Sequence, residues 1–131
     1  MAFQCTIVTP EKQALDESVS QAILPGWDGL VGILTDRAPL LLKLGVGPLR
    51  VDLANGQSRH FLVDGGVAQM KDNKLTVLTT LATPASEIDA ATARAEYAEA
   101  VARRATDTKT QEDRQHQMQR ARAAEALAGK Q

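Results

Sequence analysis

Aromatic side chains are scarce in this sequence: Phe3, Trp27, Phe61 and Tyr97 are all it has among 131 residues. Any core must therefore be filled by aliphatic side chains, and the length suffices for one compact domain or a small domain with an appendage. A single cysteine, Cys5, excludes an internal disulfide and fits a reducing compartment. Cys5 alternates with Phe3 and Ile7, which predicts a packed strand residue rather than a reactive thiol. No sign of charge dominates, 15 Lys and Arg standing against 16 Asp and Glu, so no field of one sign directs the chain to nucleic acid or anionic lipid. No apolar run approaches the ~18 residues of a membrane span, the longest being cut by Lys43. The N-terminal "MAFQCTIVTPEK" has neither the basic nor the apolar region of a signal peptide. A soluble protein is expected, with any membrane association made through a partner.

Signatures of catalysis are missing too. His60 and His116 fall in different halves without Cys partners or an H-x-x-x-H or H-E-x-x-H spacing, so no metal site is expected. Neither G-x-S-x-G nor a Walker-type loop nor G-x-G-x-x-G occurs. Asp64-Gly65-Gly66 lies between two strand-like runs and reads as a tight turn or bulge requiring φ > 0. Asp28 and Asp36 sit at turns with no sign of burial. An active site of its own is disfavoured.

What the chain does have is divided at Pro84. Residues 1–84 hold all five prolines, eight of the nine glycines and 25 Val, Ile or Leu; residues 85–131 hold three Val, Ile or Leu but 14 of the 21 alanines. Glycine and proline punctuate short strands, whereas an alanine-rich stretch free of proline favours helix. "FQCTIV", "SVSQAIL", "LVGIL", "LLLKL", "PLRVDL", "RHFLVD", "VAQM" and "KLTVLTT" read as strands separated by turns about every ten residues, the pattern of an antiparallel sandwich or barrel. Asn55-Gly56 is the strongest hairpin signal, since both residues tolerate φ > 0. Between Leu34 and Leu40 the turn Thr35-Asp36-Arg37-Ala38-Pro39 is unusually polar for a link between apolar runs.

After Pro84, Ser86-Glu87-Ile88-Asp89 reads as a helix start. The apolar stripe expected to follow is Ile88, Ala91, Ala95, Ala98, Ala102 and Ala105. "ATDTKT" is the turn, Thr108 or Thr110 the cap of a second helix, and Met118, Ala121, Ala124, Leu127 and Ala128 its packed face. Two helices with an alanine seam form a weakly held hairpin, because each buried Ala contributes only about 0.8 kcal/mol. Residues 86–102 carry a net charge of −3 and residues 103–131 a net +3. That contrast fits two solvated helices that attract each other, or a basic second helix that seeks an acidic partner on leaving the first.

Three stretches, "PGWDGLVGILTDRAPLLLKLGVGPLRV", "FLVDGGVAQMKDNKLTVLTTLA" and "EIDAATARAEYAEA", together closely resemble the epsilon subunit of bacterial F-type ATP synthases. Gly32-Ile33-Leu34, Ala38-Pro39-Leu40, Gly65-Gly66 and Thr76-Val77-Leu78 occur in the order and at the separations that family uses. Asp36-Arg37 stands where its members usually have Gly-His, and Arg37 makes a donor there permanently charged. The resemblance and the composition give one fold class, α+β: an N-terminal antiparallel β-sandwich of about ten short strands over 1–84, then a C-terminal antiparallel α-helical hairpin over 85–131.

The resemblance implies a non-catalytic rotor subunit of the central stalk. The sandwich would bind the gamma subunit and the c-ring, and the hairpin would form a mobile regulatory arm that transiently reaches the beta subunits and restrains ATP hydrolysis. It implies a gamma and c-ring interface at Leu30, Thr35, Asp36, Arg37, Ala38 and Pro39, and a beta-subunit contact at Arg114, Arg120 and Arg122. Substitution of Asp36 or Arg37 is then expected to alter assembly and leave the stability of the monomer nearly unchanged. The implied location is peripheral, on the cytoplasmic face of the bacterial plasma membrane, with no nucleic-acid partner and no direct membrane insertion. Some members bind ATP in the hairpin through Ile-Asp-x-x-Arg-Ala. Here Thr92 replaces the motif arginine, and Arg94 lies about 140° from Asp89 around the helix instead of about 60°. No cofactor is expected. The rival readings are a free-standing adaptor or chaperone, told apart by an apolar partner-sized patch on the sandwich, and an enzyme, which needs a deep pocket with converging titratable groups.

Overall fold

A computed structural model describes residues 2–102 and 108–128. Nine strands and two helices follow one another: β1 (Phe3–Val8), β2 (Gln13–Gly26), β3 (Gly29–Leu34), β4 (Leu40–Lys43), β5 (Val46–Leu53), β6 (Ser58–Asp64), β7 (Val67–Lys71), β8 (Lys74–Leu78) and β9 (Ala82–Pro84), then a 3₁₀ turn at Ala85–Glu87, α1 (Ala90–Ala102) and α2 (Thr108–Leu127). The expected sandwich followed by a helical hairpin is present. Its strands number nine among the described residues, and one pairing departs from antiparallel: β1 and β8 run parallel, Cys5 opposite Leu75 and Ile7 opposite Val77.

The two layers share one strand. The first half of β2 pairs with β1, from Phe3 opposite Val19 to Val8 opposite Gln13. Its second half pairs with β3 on one side and with β5 on the other. The register shifts between Val19 and Gln21, a bulge that turns the strand from one layer into the next. One layer thus runs β4-β7-β8-β1-β2, and the other continues β2-β5-β6-β9 with β3 beside β2. Alternation does the rest. Phe3, Cys5, Ile7, Met70, Leu75 and Val77 meet Leu24, Ile33, Leu49, Val51, Phe61 and Val63 in a single aliphatic core. Cys5 is fully buried there, and burial, with Asp16 nearby, pushes its thiol up to about 12.

The turn chemistry differs from expectation at one hairpin. At Asn55-Gly56 only Gly56 has positive φ, 93°. The Gly56 N–H donates to the Leu53 carbonyl at 3.0 Å, so this is a turn closed by a left-handed glycine, longer than a two-residue hairpin. Two consecutive positive φ values occur instead at Asp72 and Asn73, between the paired Lys71 and Lys74. Asx side chains tolerate that conformation well enough to replace glycine.

In the hairpin, α1 begins later than expected and buries another face. Ser86 and Glu87 belong to the 3₁₀ turn, and Asp89 caps α1. Ala93 and Ala100 are buried with Tyr97 half-buried between them, while Ala91, Ala95, Ala98 and Ala102 face solvent. Alanines at nearly every position leave several stripes equally plausible, and the face holding the one large side chain is the one that packs. Ala105 and the inter-helix turn lie outside the described residues. On α2 the expected face packs, with Ala121, Ala124 and Leu127 buried and Met118 and Ala128 half-buried. Thr110 falls inside the first turn of α2 instead of capping it.

Gly66 makes the closest backbone approach. A Cβ there would lie 2.1 Å from the Leu78 carbonyl oxygen, at φ +108°, whereas at Gly56 a Cβ would meet nothing within 4 Å. Gly56→Ala should therefore cost only its backbone strain, about 1–2 kcal/mol. Gly66→Ala should cost more than about 3 kcal/mol, or prevent folding. Urea denaturation of the pair checks this, and equal losses would refute the steric reading.

Candidate interaction surfaces

The polar turn after β3 is built by its backbone. The Arg37 N–H donates to the Leu34 carbonyl at 3.3 Å, closing a four-residue turn in which Asp36 takes φ 63°. Glycine would adopt that conformation freely; here an Asp adopts it and is tied down. The Asp36 N–H donates to Asn73 Oδ1 at 2.7 Å, and Asn73 Nδ2 donates back to Asp36 Oδ1 at 3.0 Å. This reciprocal pair joins the β3–β4 turn to the β7–β8 turn and argues against the expectation that Asp36 leaves monomer stability nearly unchanged. Arg37, Ala38 and Pro39 are exposed and Thr35 is half-buried.

Leu30 is not part of that cluster. It stands near the opposite end of β3, a strand that spans about 17 Å at ~3.3 Å per residue. Its side chain lines a cleft of about 250 Å³ with Ile23, Pro48, Ala123, Ala126 and Leu127, between the β-sheet and α2. Next to that end the sequence reading missed Trp27, 67 % exposed at the β2–β3 turn. Its signal was a lone tryptophan between glycines in Pro25-Gly26-Trp27-Asp28-Gly29. Also missed was an apolar row on the outer face of the first layer. Val67 pairs with Leu78, and Leu78 with Val8, across three neighbouring strands. Val67 and Leu78 are exposed, as is Leu41 on β4, at 73 %. Counting strand alternation from the buried Ala68 and Val77 would have found that row.

Arg114, Arg120 and Arg122 are all engaged within the chain. Arg114 donates through Nε to the Ala100 carbonyl and through Nη2 to that of Val101, each at 3.0 Å, and so caps the C-terminal end of α1. Arg122 donates to the Tyr97 hydroxyl at 2.7 Å, with its guanidinium carbon 5.2 Å from the ring centre. Arg120 reaches Asp64 at the end of β6, 3.4 Å from Oδ2, and His116 Nε2 lies 2.7 Å from Oδ1 of the same carboxylate. Most of these partners are neutral groups or lie on the sandwich; charge attraction between the helices is a smaller feature among the described residues. It is seen in Arg94 and Glu125, 3.8 Å apart.

Asp89, the aspartate of the nucleotide motif, accepts from the Ala91 N–H at 3.1 Å and from the Thr92 hydroxyl at 2.8 Å. The Thr92 hydrogen bond, followed by the backbone one, holds its carboxyl below the usual value. Thr92 therefore completes a helix cap where the motif has its arginine. A concavity of about 560 Å³ is lined by Leu15, Glu17, Arg59, His60 and Phe61. Among the described residues no three His, Cys, Asp or Glu gather as a metal site, and no helix is long and apolar enough to cross a membrane.

Comparison with known proteins agrees with this architecture. Residues 2–85 match the family described as ATP synthase, Delta/Epsilon chain, beta-sandwich domain. The ATP synthase epsilon chain of Rhodopirellula baltica is 41 % identical over 101 residues, covering 77 % of this chain and 78 % of that one. That of Rippkaea orientalis is 35 % identical over 134 aligned positions, covering 98 % of each. In solved structures, a chain of the Euglena gracilis mitochondrial ATP synthase OSCP/F1/c-ring assembly shares the fold, with a TM-score of 0.87 at 22 % identity over 95 % of this chain and 80 % of its own. The protein belongs to the epsilon-chain family of the ATP synthase.

Two outcomes follow from the local geometry. Asp36→Ala should lower stability by about 1–2 kcal/mol, through a left-handed residue made less tolerable and loss of the hydrogen bond from Asn73 Nδ2, the backbone bond to Asn73 Oδ1 being kept, while Arg37→Ala stays within about 0.5 kcal/mol. Chemical denaturation separates them, and equal effects would remove the structural role from Asp36. For Asp89 the sign is that of a carboxyl held low in the folded state. Its support of α1 is complete above the ordinary value of about 3.9 and fades as pH falls through the folded value. Amide exchange at Ala91–Ala93 should accelerate below about pH 4 relative to the rest of α1, and Asp89→Asn should flatten that dependence.

Proposed function

We propose that the chain is a non-catalytic central-stalk subunit of the ATP synthase. In this reading the sandwich joins the gamma subunit to the c-ring, and the hairpin restrains ATP hydrolysis by transient contact with the beta subunits. The location this implies is peripheral, at the cytoplasmic face of the bacterial plasma membrane. The observation that carries it is the exposed row of Val67 and Leu78 with Leu41 on the sandwich's outer face. Such a row is available to a partner, and it lies at the Trp27 end of the sandwich, where the Trp27 N–H donates to the carbonyl of Lys43, the residue opposite Val67. Trp27 and the Arg37 turn, at opposite ends of β3, supply two further contact points. Arg37 combines permanent charge with an exposed position on a backbone-fixed turn, so it fits an interface role better than Asp36 does.

Retention on a gamma and c-ring assembly tests the reading. Leu78→Asp on the outer face and Arg37→Glu at the turn should each weaken co-purification by about tenfold or more, as loss of an interface anchor does. A chain truncated after Ala85 should still bind but should release hydrolysis from restraint in the assembled enzyme. Full retention of both point variants, each folded as the parent, would overturn the assignment of this surface.

A further inference from the structure

α2 is held to the sandwich at two places of different chemistry. Towards its C-terminal end Ala124 and Leu127 bury against Leu62 and Ala85, with Ala93 of α1 in the same cluster. Earlier on the helix, His116 and Arg120 stand one turn apart and converge on one carboxylate, Asp64. That carboxylate is only 15 % exposed, while the two side chains that reach it are nearly half-exposed. Asp64 lies at the end of β6 with its backbone pinned from both sides. Its own carbonyl accepts from the Thr80 hydroxyl at 3.0 Å, and the neighbouring Gly65 N–H donates to the Gly45 carbonyl at 3.0 Å. The sandwich therefore presents a fixed acceptor, and the helix brings two donors to it.

We propose that Asp64 is the latch of the helical hairpin: a single sandwich carboxylate whose grip on His116 and Arg120 sets whether α2 is docked or free. The apolar contact is small, with Leu127 the one large side chain α2 buries in it beside Ala124, so loss of a polar tie is felt against it. The other ties of α2, Arg114 to the end of α1 and Arg122 to Tyr97, join helix to helix and would travel with the hairpin. Among the polar contacts of α2 described above, those with Asp64 are the ones that bridge hairpin and sandwich. They are reachable by solvent ions and by carboxylates of another protein, so the latch opens with ionic strength or when a competing acidic surface takes the two side chains. The effect on hydrolysis rests on the central-stalk reading; the latch itself does not.

Hydrogen–deuterium exchange on the full chain tests it, with α2 peptides compared to sandwich peptides at 50 and 500 mM salt. At low salt Asp64→Asn should raise exchange across α2 about tenfold, the worth of one charge-assisted hydrogen bond, with the sandwich unchanged. The parent should lose α2 protection at high salt, and Asp64→Asn should not respond. His116→Gln/Arg120→Gln should reproduce Asp64→Asn, and the triple variant should be no worse than either. These helix variants keep the test open if Asp64→Asn does not fold. Parent-like α2 protection in the helix double variant, or loss spread equally over sandwich and helix, overturns the latch. Faster α2 exchange together with unchanged hydrolysis in the assembled enzyme leaves the latch standing and refutes the regulatory part of the proposed function.

Discussion

Much of this structure depends on the bend in β2. One 14-residue strand supplies a partner to β1 in one layer and to β3 and β5 in the other, so both layers are covalently one piece at the bulge. The Ser20 hydroxyl, at the bulge, donates to the Asp52 carbonyl at 3.2 Å and fixes the turn against the second layer. Asp52 is itself held by Ser58 at 2.8 Å and Arg50 at 3.0 Å, and its carboxyl is lowered first by the Ser58 hydrogen bond. A strand shared between layers removes two edges that a simple stack of sheets would expose. It also sets where the β2–β3 turn and the β3–β4 turn emerge, and these two turns carry Trp27 and Arg37.

The two halves of the chain differ in how much apolar surface they bury. The sandwich core joins 18 buried residues, most of them branched aliphatics, whereas the cluster beneath the hairpin joins Leu62, Ala85, Ala93, Ala124 and Leu127. The second cluster is smaller, three of its five buried residues being alanine with Leu81 and Ile88 packed against it, so the polar contacts of α2 are a larger share of its docking. Polar contacts at a half-exposed site exchange readily with water, salt or a partner's carboxylates. Leucine, isoleucine and valine in one half and alanine in the other give a large core in the sandwich and a small cluster beneath the hairpin.

Most of the sandwich was legible because β1, β5, β7 and β8 alternate and the turns carry glycine, proline, Asn or Asp. β9 was not, since Ala82–Pro84 is too short to show a period. The parallel pairing of β1 with β8 was not legible either, since alternation reports which face is buried and says nothing of strand direction. The buried face of α1 was misread because hydrophobicity discriminates poorly among alanines. On α2 a terminal leucine fixed the phase, and the face came out right. The site was the least legible part. Exposure of Leu41, Val67 and Leu78 is decided by which layer's outer side remains uncovered, and α2 covers β5 and β6 on the other layer. Asp64 with His116 is a contact across 52 residues with no local pattern to announce it.

The in-chain partners of the three arginines change what a basic helix means. A solvated arginine offers a partner its whole interaction, but Arg114, Arg120 and Arg122 already hold two carbonyls, a carboxylate and a tyrosine. Any external surface must supply at least equal acceptors before α2 gains by leaving, so engagement is an exchange whose free energy is a small difference of similar quantities. The arginines are not equivalent in that exchange. Those of Arg114 and Arg122 belong to the hairpin's internal packing and persist if the two helices move together; only Arg120, with His116, must give up the sandwich. Neutralising all three at once would remove the hairpin's internal ties and its tie to the sandwich together. The separate roles become visible only when the bond to Asp64 is broken from the sandwich side, where the arginines themselves are left intact.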